Sequence, residues 1–184
     1  EGMAESIKSA AQAILLMLIV GIVVGLWILG GIVPSMIYYG LQILSPSFFL
    51  VASLLMCSVI SVMTGSSWTT IGTLGVALMG VGMGLGVPSA MTAGAIISGA
   101  YFGDKMSPLS ETTNLAPAMA GTDVFSHVKH MAKTTLPAYV IAAILFTVLG
   151  LSFRDHTVDP ATINSYLDCL KSTFTISPIM LIPP

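Results

Sequence analysis

The sequence predicts an all-α, polytopic membrane protein, and three observations carry that prediction. Of 184 residues, 55% are hydrophobic and 8% are charged, whereas soluble domains carry about 25% charged residues. Mean hydropathy is +0.95. Residues 9–103 contain no Asp, Glu, Lys, Arg or His, and they divide into apolar runs long enough to cross a bilayer as helices.

Residues 11–33 make the first expected span. Gly21 and Gly25 stand four residues apart, a spacing that lets helices approach closely. Pro34 is expected to end it. Residues 34–45, with Tyr38, Tyr39 and Gln42, read as a short interfacial segment whose rings lie at headgroup level. Residues 46–64 are apolar again, then comes GSSWTT at 65–70, then apolar 71–86. One helix over all of these would be about 60 Å long, too long for one crossing. The run therefore folds back, either as two spans (46–64 and 68–86) joined by a tight turn or as a re-entrant hairpin with Gly65, Ser66 and Ser67 at its tip. Both foldings return it to its starting side.

Residues 88–121 read as one discontinuous span, broken near 103–110 and kinked at Pro117. Ala95, Gly99 and Gly103 share a face of its first part. Residues 122–133 alternate Val124, Val128, Met131 and Ala132 with His127, Lys129, His130 and Lys133. That pattern predicts a short surface helix capped by Thr122 or Asp123. Residues 134–153 form the last span. Asp159 before Pro160 starts a second surface helix, 160–174, with Ile163, Tyr166, Leu167, Leu170 and Phe174 in helical period. Lys8, Lys129 and Lys133 face the cytoplasm by the positive-inside rule.

A net charge of −2 gives no reason to expect a nucleic-acid partner. Cys57 and Cys169 lie in different settings and read as free thiols. The chain starts at Glu1 without a signal peptide, and its Pro-rich end reads as the entry to another span. It is expected to be part of a longer transporter or a truncated product.

The chemistry concentrates in YFGDKMSPLSETTN, residues 101–114, which breaks the uncharged stretch. Ionisable groups at membrane depth are costly and mark ion or substrate pathways. A broken helix also exposes N-terminal amides to anions and C-terminal carbonyls to cations. The carboxylates of Asp104 and Glu111, with oxygens from Ser107, Ser110, Thr112, Thr113 and Asn114, suit a hard cation such as sodium. A buried carboxylate also takes a proton readily. Lys105 is expected to serve as counter-charge. The tip supplies further oxygens from Ser66, Ser67 and Thr69. The bland alternatives are a solvated loop at 104–114 and an ordinary capped turn at 64–70. His127 and His130 have a metal-like spacing, but beside lysines they read as a polar helix face.

The long motif through Ala118, with TGSSWTT at 64–70, GVALMG at 75–80, VPSMIYYG at 33–40 and AGAIISGA at 93–100, resembles the NhaC-type sodium/proton antiporters of the ion transporter superfamily. The resemblance covers nearly the whole chain. It implies a larger protein of about a dozen spans in two inverted halves, of which this chain is most of the N-terminal half. It also implies that a re-entrant hairpin and a broken helix meet at the ion site, roles that the Gly65–Trp68 tip and the 103–114 break fit. One position departs from the family's pattern: Asp is usual where Glu111 stands, and the extra methylene shifts the carboxylate and is expected to alter affinity or ion preference.

The functional expectation is a secondary transporter exchanging sodium for protons by alternating access in a prokaryotic cytoplasmic membrane. The alternatives are a sodium-coupled organic-anion (malate/lactate-type) exchanger, with Lys105 facing the substrate, and a half that is inactive alone. No enzyme activity and no cofactor are expected. The expected partners are the lipid bilayer and the second half, and assembly with further copies is left open.

Overall fold

The computed structural model describes residues 18–19, 21–23, 25–153 and 160–182. Lys8, Arg154 and the expected cap Asp159 lie outside the described residues. Every regular element among the described residues is helical.

The stretch Gly21–Leu29 bends by 69° into helix α1, Ile32–Ile43. The bend falls at Gly30 and Gly31, and Gly31 has φ 84°, a left-handed conformation that glycine adopts without steric cost. This corrects the expectation that Pro34 ends a span over 11–33. Pro34 instead lies in the first turn of α1, where its missing N–H would have no helical partner anyway.

Helix α2, Pro46–Thr64, starts on a proline for the same reason and stops at Gly65, φ 69°. Helix α3 is continuous over residues 67–84, through Ser67–Thr70, a π-helical turn Ile71–Gly75 and Val76–Gly84. Helix α4 is Ser89–Met106, and α5, Glu111–Ala120, follows after a break at 107–110. Helix α6, Val124–Leu151, is one element of 28 residues. The surface helix 122–133 and span 134–153 expected from the sequence are therefore joined. Nothing between Lys133 and Thr134 stops a helix, and Pro137 sits inside it. Asp123 caps α6 by accepting from the Ser126 amide at 2.9 Å. Helix α7 is Pro160–Thr173.

Among the described residues, α2 and α6 are each long and apolar enough to cross a membrane, and Gly21–Leu29 with α1 makes a third if the bent pair is one span. The expected span 68–86 is present as one helix that passes through the π-turn, and the expected span 88–121 is present as two helices separated by the break.

The core is a glycine-mediated contact between α2 and α4. A Cβ on Gly99 would collide with the Leu54 carbonyl, and one on Gly103 would lie 2.5 Å from the Ser58 carbonyl oxygen. Phe49, Leu50, Leu54 and Cys57 of α2 are wholly buried, as are Ala95 and Ala100 of α4. Pairing Leu54 with Gly99 and Ser58 with Gly103 makes the two helices parallel. Helix α3 returns beside α2, with Gly82 against Phe49. Its outer half packs glycines onto α1 side chains, Gly80 on Ile37 and Gly84 on Leu41.

Helix α6 lies antiparallel to both α2 and α4. Gly150 meets Ser47, the Tyr139 hydroxyl lies 2.7 Å from Ser58 Oγ, and Tyr139 stacks on Phe102 at 3.8 Å. Lys105 lines one groove with Thr134 and Thr135. This register puts the hairpin tip and the break level with the start of the apolar part of α6, beside Lys133. The sequence had placed the break near the middle of a span.

Candidate ion site at the hairpin tip and helix break

The tip is built by capping. Ser66 is the N-cap of α3, and its hydroxyl accepts from the Thr69 amide at 3.2 Å and the Thr69 hydroxyl at 3.1 Å. Thr70, fully buried, donates to the Ser66 carbonyl at 3.0 Å, and Thr73 donates to the Thr69 carbonyl at 2.7 Å. These bonds hold the first turn of α3 with its amide end toward the break.

The break is stapled to α2. Ser107, buried, donates to the Val62 carbonyl at 2.7 Å and accepts from the Leu109 amide at 3.1 Å. Asn114 donates to the Pro108 and Ser110 carbonyls at 2.6 and 2.8 Å. Thr113, also buried, donates to the carbonyls of Asp104 and Lys105, each at 3.2 Å. It thereby pairs the Lys105 carbonyl at the end of α4 and adds a second donor to the Asp104 carbonyl, which also accepts the Ser107 amide at 3.3 Å. Tip and break touch: a Cβ on Gly65 would lie 2.6 Å from the Leu109 carbonyl carbon, and Gly65 has φ 69°.

One bond joins the two elements chemically. Ser67 Oγ donates to Asp104 Oδ2 at 3.0 Å. Ser67 is buried and Asp104 half-buried. The carboxylate therefore faces the N-terminus of α3, where a hydroxyl and the positive end of the helix dipole both favour negative charge.

The sequence-predicted site residues separate into groups. Asp104, Ser67, Ser107 and Thr113 converge where tip and break meet. Ser66 and Thr69 are engaged in the cap, and Ser110 pairs with Thr112 at 3.0 Å. Glu111 and Thr112 are exposed on the first turn of α5. Asp104 and Lys105 lie in the last turn of α4 rather than in the gap, because the helix continues to Met106. Lys105 Nζ lies 5.1 Å from the Tyr101 ring centroid, and no ion pair joins it to Asp104 or Glu111. Among the described residues no three His, Cys, Asp or Glu side chains cluster as metal ligands. The gathered oxygens are one carboxylate, hydroxyls and helix-end carbonyls, a hard-cation set.

Sequence reasoning did not single out Ser61, and it took Thr70 only as part of the 64–70 segment. Ser61, fully buried, donates to the Ala100 carbonyl at 2.6 Å and ties α2 to α4 just above Asp104. A lone serine in an apolar run gives no signal of that role.

The family model described as the Na+/H+ antiporter family matches residues 99–183, a stretch that includes the whole break. The chain is 48% identical, over 97% of its length, to a malate-2H+/Na+-lactate antiporter of Bacillus subtilis. It is 46% identical, over 99%, to the Na+/H+ antiporter NhaC of Alkalihalophilus pseudofirmus. It is 39% identical, over its full length, to the arginine/ornithine antiporter ArcD of Halobacterium salinarum. It covers 38%, 39% and 38% of these relatives respectively, so it spans about two fifths of their length. No solved structure matches it significantly. With the break inside the family match and antiporter relatives aligned along nearly every residue, the chain belongs to the Na+/H+ antiporter family.

Proposed function

We propose that the chain supplies one half of the ion site of a secondary antiporter that exchanges sodium for protons across a prokaryotic cytoplasmic membrane. The observation that carries this reading is the Ser67–Asp104 hydrogen bond between the tip and the break. A carboxylate in that position holds either a proton or a hard cation, because either one neutralises the same charge. With sodium bound, the hydroxyl of Ser67 turns a lone pair to the ion, and the carbonyls now held by Thr113 lie beside it. With a proton bound, the carboxylic acid keeps its hydrogen bond to Ser67. The tip meets the break at Gly65 on Leu109 and Ser67 on Asp104, and α3 also packs on α4, Gly75 against Ile96 and Gly82 against Thr92. Alternating access would then move the site as one packed unit. Glu111, exposed at the mouth, is the second titrating candidate. The names of the NhaC relatives support sodium and protons as the exchanged ions.

The malate-2H+/Na+-lactate relative favours a second reading, exchange of an organic anion coupled to the same ions. Sodium-driven proton flux in vesicles, measured with and without malate, separates the two. Flux without carboxylate is expected, and a strict requirement for malate would replace the first reading by the second. A third reading is that these residues do no transport without the remainder of a full-length relative. Flux from the 184-residue chain alone would overturn it.

A further inference from the structure

We propose that the groove between α4 and α6 is a binding site for an anionic phospholipid, with the headgroup phosphate on Lys105. The groove has a volume of about 390 Å³ and is lined by Tyr101, Phe102, Lys105, Thr135, Ala138 and Tyr139, among others. Its two ends differ in chemistry. Lys105 and Thr135 stand at one end, level with the start of the apolar part of α6. Phe102, Ala138 and Ala142 follow toward the membrane interior. The stacked rings of Phe102 and Tyr139 make its floor. The Tyr139 hydroxyl is turned away to Ser58, so the floor is apolar.

Among the described residues, no carboxylate forms an ion pair with Lys105. Its neighbour Asp104 is bonded to Ser67 on another face of α4, since consecutive helical residues point about 100° apart. The ammonium lies over the Tyr101 ring, and Tyr101 is itself 57% exposed. Helix α6 contains no Asp or Glu, and Lys129 and Lys133 add positive potential at the same end. An amphipathic lysine places its stem on apolar wall and its charge at the interface. Basic pockets between helices at headgroup level suit anionic lipids. A small soluble anion would leave the apolar floor uncovered, whereas an acyl chain covers it. Exposed Leu136, Val140, Ile141 and Ile144 on α6 continue the surface that lipid tails would meet.

Native mass spectrometry of the detergent-purified protein, titrated with phosphatidylglycerol and with phosphatidylcholine of the same chains, tests this. The wild type is expected to retain phosphatidylglycerol preferentially. Lys105→Ala is expected to weaken that binding about fivefold with phosphatidylcholine unchanged, and Lys105→Arg to keep it. Ala138→Trp fills the groove without touching the charge and is expected to reduce binding of both lipids. Equal binding of the two lipids by the wild type overturns the proposal. So does unchanged phosphatidylglycerol binding in Lys105→Ala and Ala138→Trp. Displacement of the lipid by millimolar inorganic phosphate or malate assigns the site to a soluble anion instead. An Ala142→Cys cross-link to another polypeptide segment assigns it to protein.

Discussion

Asp104 and Glu111 are two carboxylates on either side of one helix break, and the fold treats them unequally. Asp104 ends α4, is half-buried and accepts a hydrogen bond from the hairpin tip. Glu111 begins α5 and is exposed. Both lie in the same motif, so the motif alone ranks them equally. The parallel packing of α2 and α4 delivers only Asp104 to Ser67. The difference teaches that, in the proposed ion site, a carboxylate's role depends on which helix end faces the tip.

The sharpest test of that ranking is Asp104→Asn, which keeps the shape and removes the titrating charge. Sodium-dependent proton flux in the full-length protein is expected to fall to background. Wild-type flux would remove Asp104 from the site. The contact that positions it can be broken next. Gly103→Ala gains about 1 kcal/mol of helix propensity, but its Cβ meets the fixed Ser58 carbonyl. Overpacking of this kind costs about 1–3 kcal/mol, so a lower unfolding temperature is expected. An unchanged midpoint would show that the contact relaxes at a cost no larger than the propensity gain.

Ser67→Ala removes one hydrogen bond to a charged group, a loss of about 1.5–3 kcal/mol when buried and less where the carboxylate is half-exposed. Apparent sodium affinity is expected to weaken about tenfold, with maximal flux largely kept. A change in neither quantity would reduce the Ser67–Asp104 bond to a structural link. Glu111→Gln is expected to lower flux only a few-fold. If it matches Asp104→Asn, the two carboxylates act as an equal pair and the ranking fails.

The smallest effect concerns the N-terminal cap of α6. The Ser126 side chain and amide hold the Asp123 carboxyl below its ordinary value of 3.8. Its folded value is depressed, so its contribution is present above that ordinary value and is lost as pH falls through the folded one. Asp123→Ala is expected to lower helicity slightly at neutral pH and to flatten its fall on acidification. An identical acid profile would show that the cap contributes nothing.

Much of this organisation was legible in the sequence. The run Pro46–Thr64 is bounded by Pro46 and Gly65, residues that start and stop helices for steric reasons, and the structure keeps those limits. Length alone required residues 46–86 to fold back, and Gly65, Ser66 and Ser67 marked where. The boundary at Pro34 was misread because proline breaks a helix interior but fits a first turn, and the glycine pair before it takes the bend. The join across Lys133 was misread because a change in polarity does not interrupt backbone hydrogen bonding. Lys105 is expected from the sequence as a counter-charge to Asp104 or Glu111, whereas its ammonium lies over the Tyr101 ring.

The sequence by itself determined an all-helical membrane protein, the places where its helices stop, and the oxygen-rich segment that bears its charges. These depend on hydropathy and on local backbone chemistry, which act within a few residues. Only the tertiary structure decided that Gly65 meets Leu109, that Ser67 reaches Asp104 and not Glu111, and that Lys105 opens toward α6. Those outcomes depend on the register and rotation of helices packed through Gly99 and Gly103. That packing is set by contacts between residues distant along the chain.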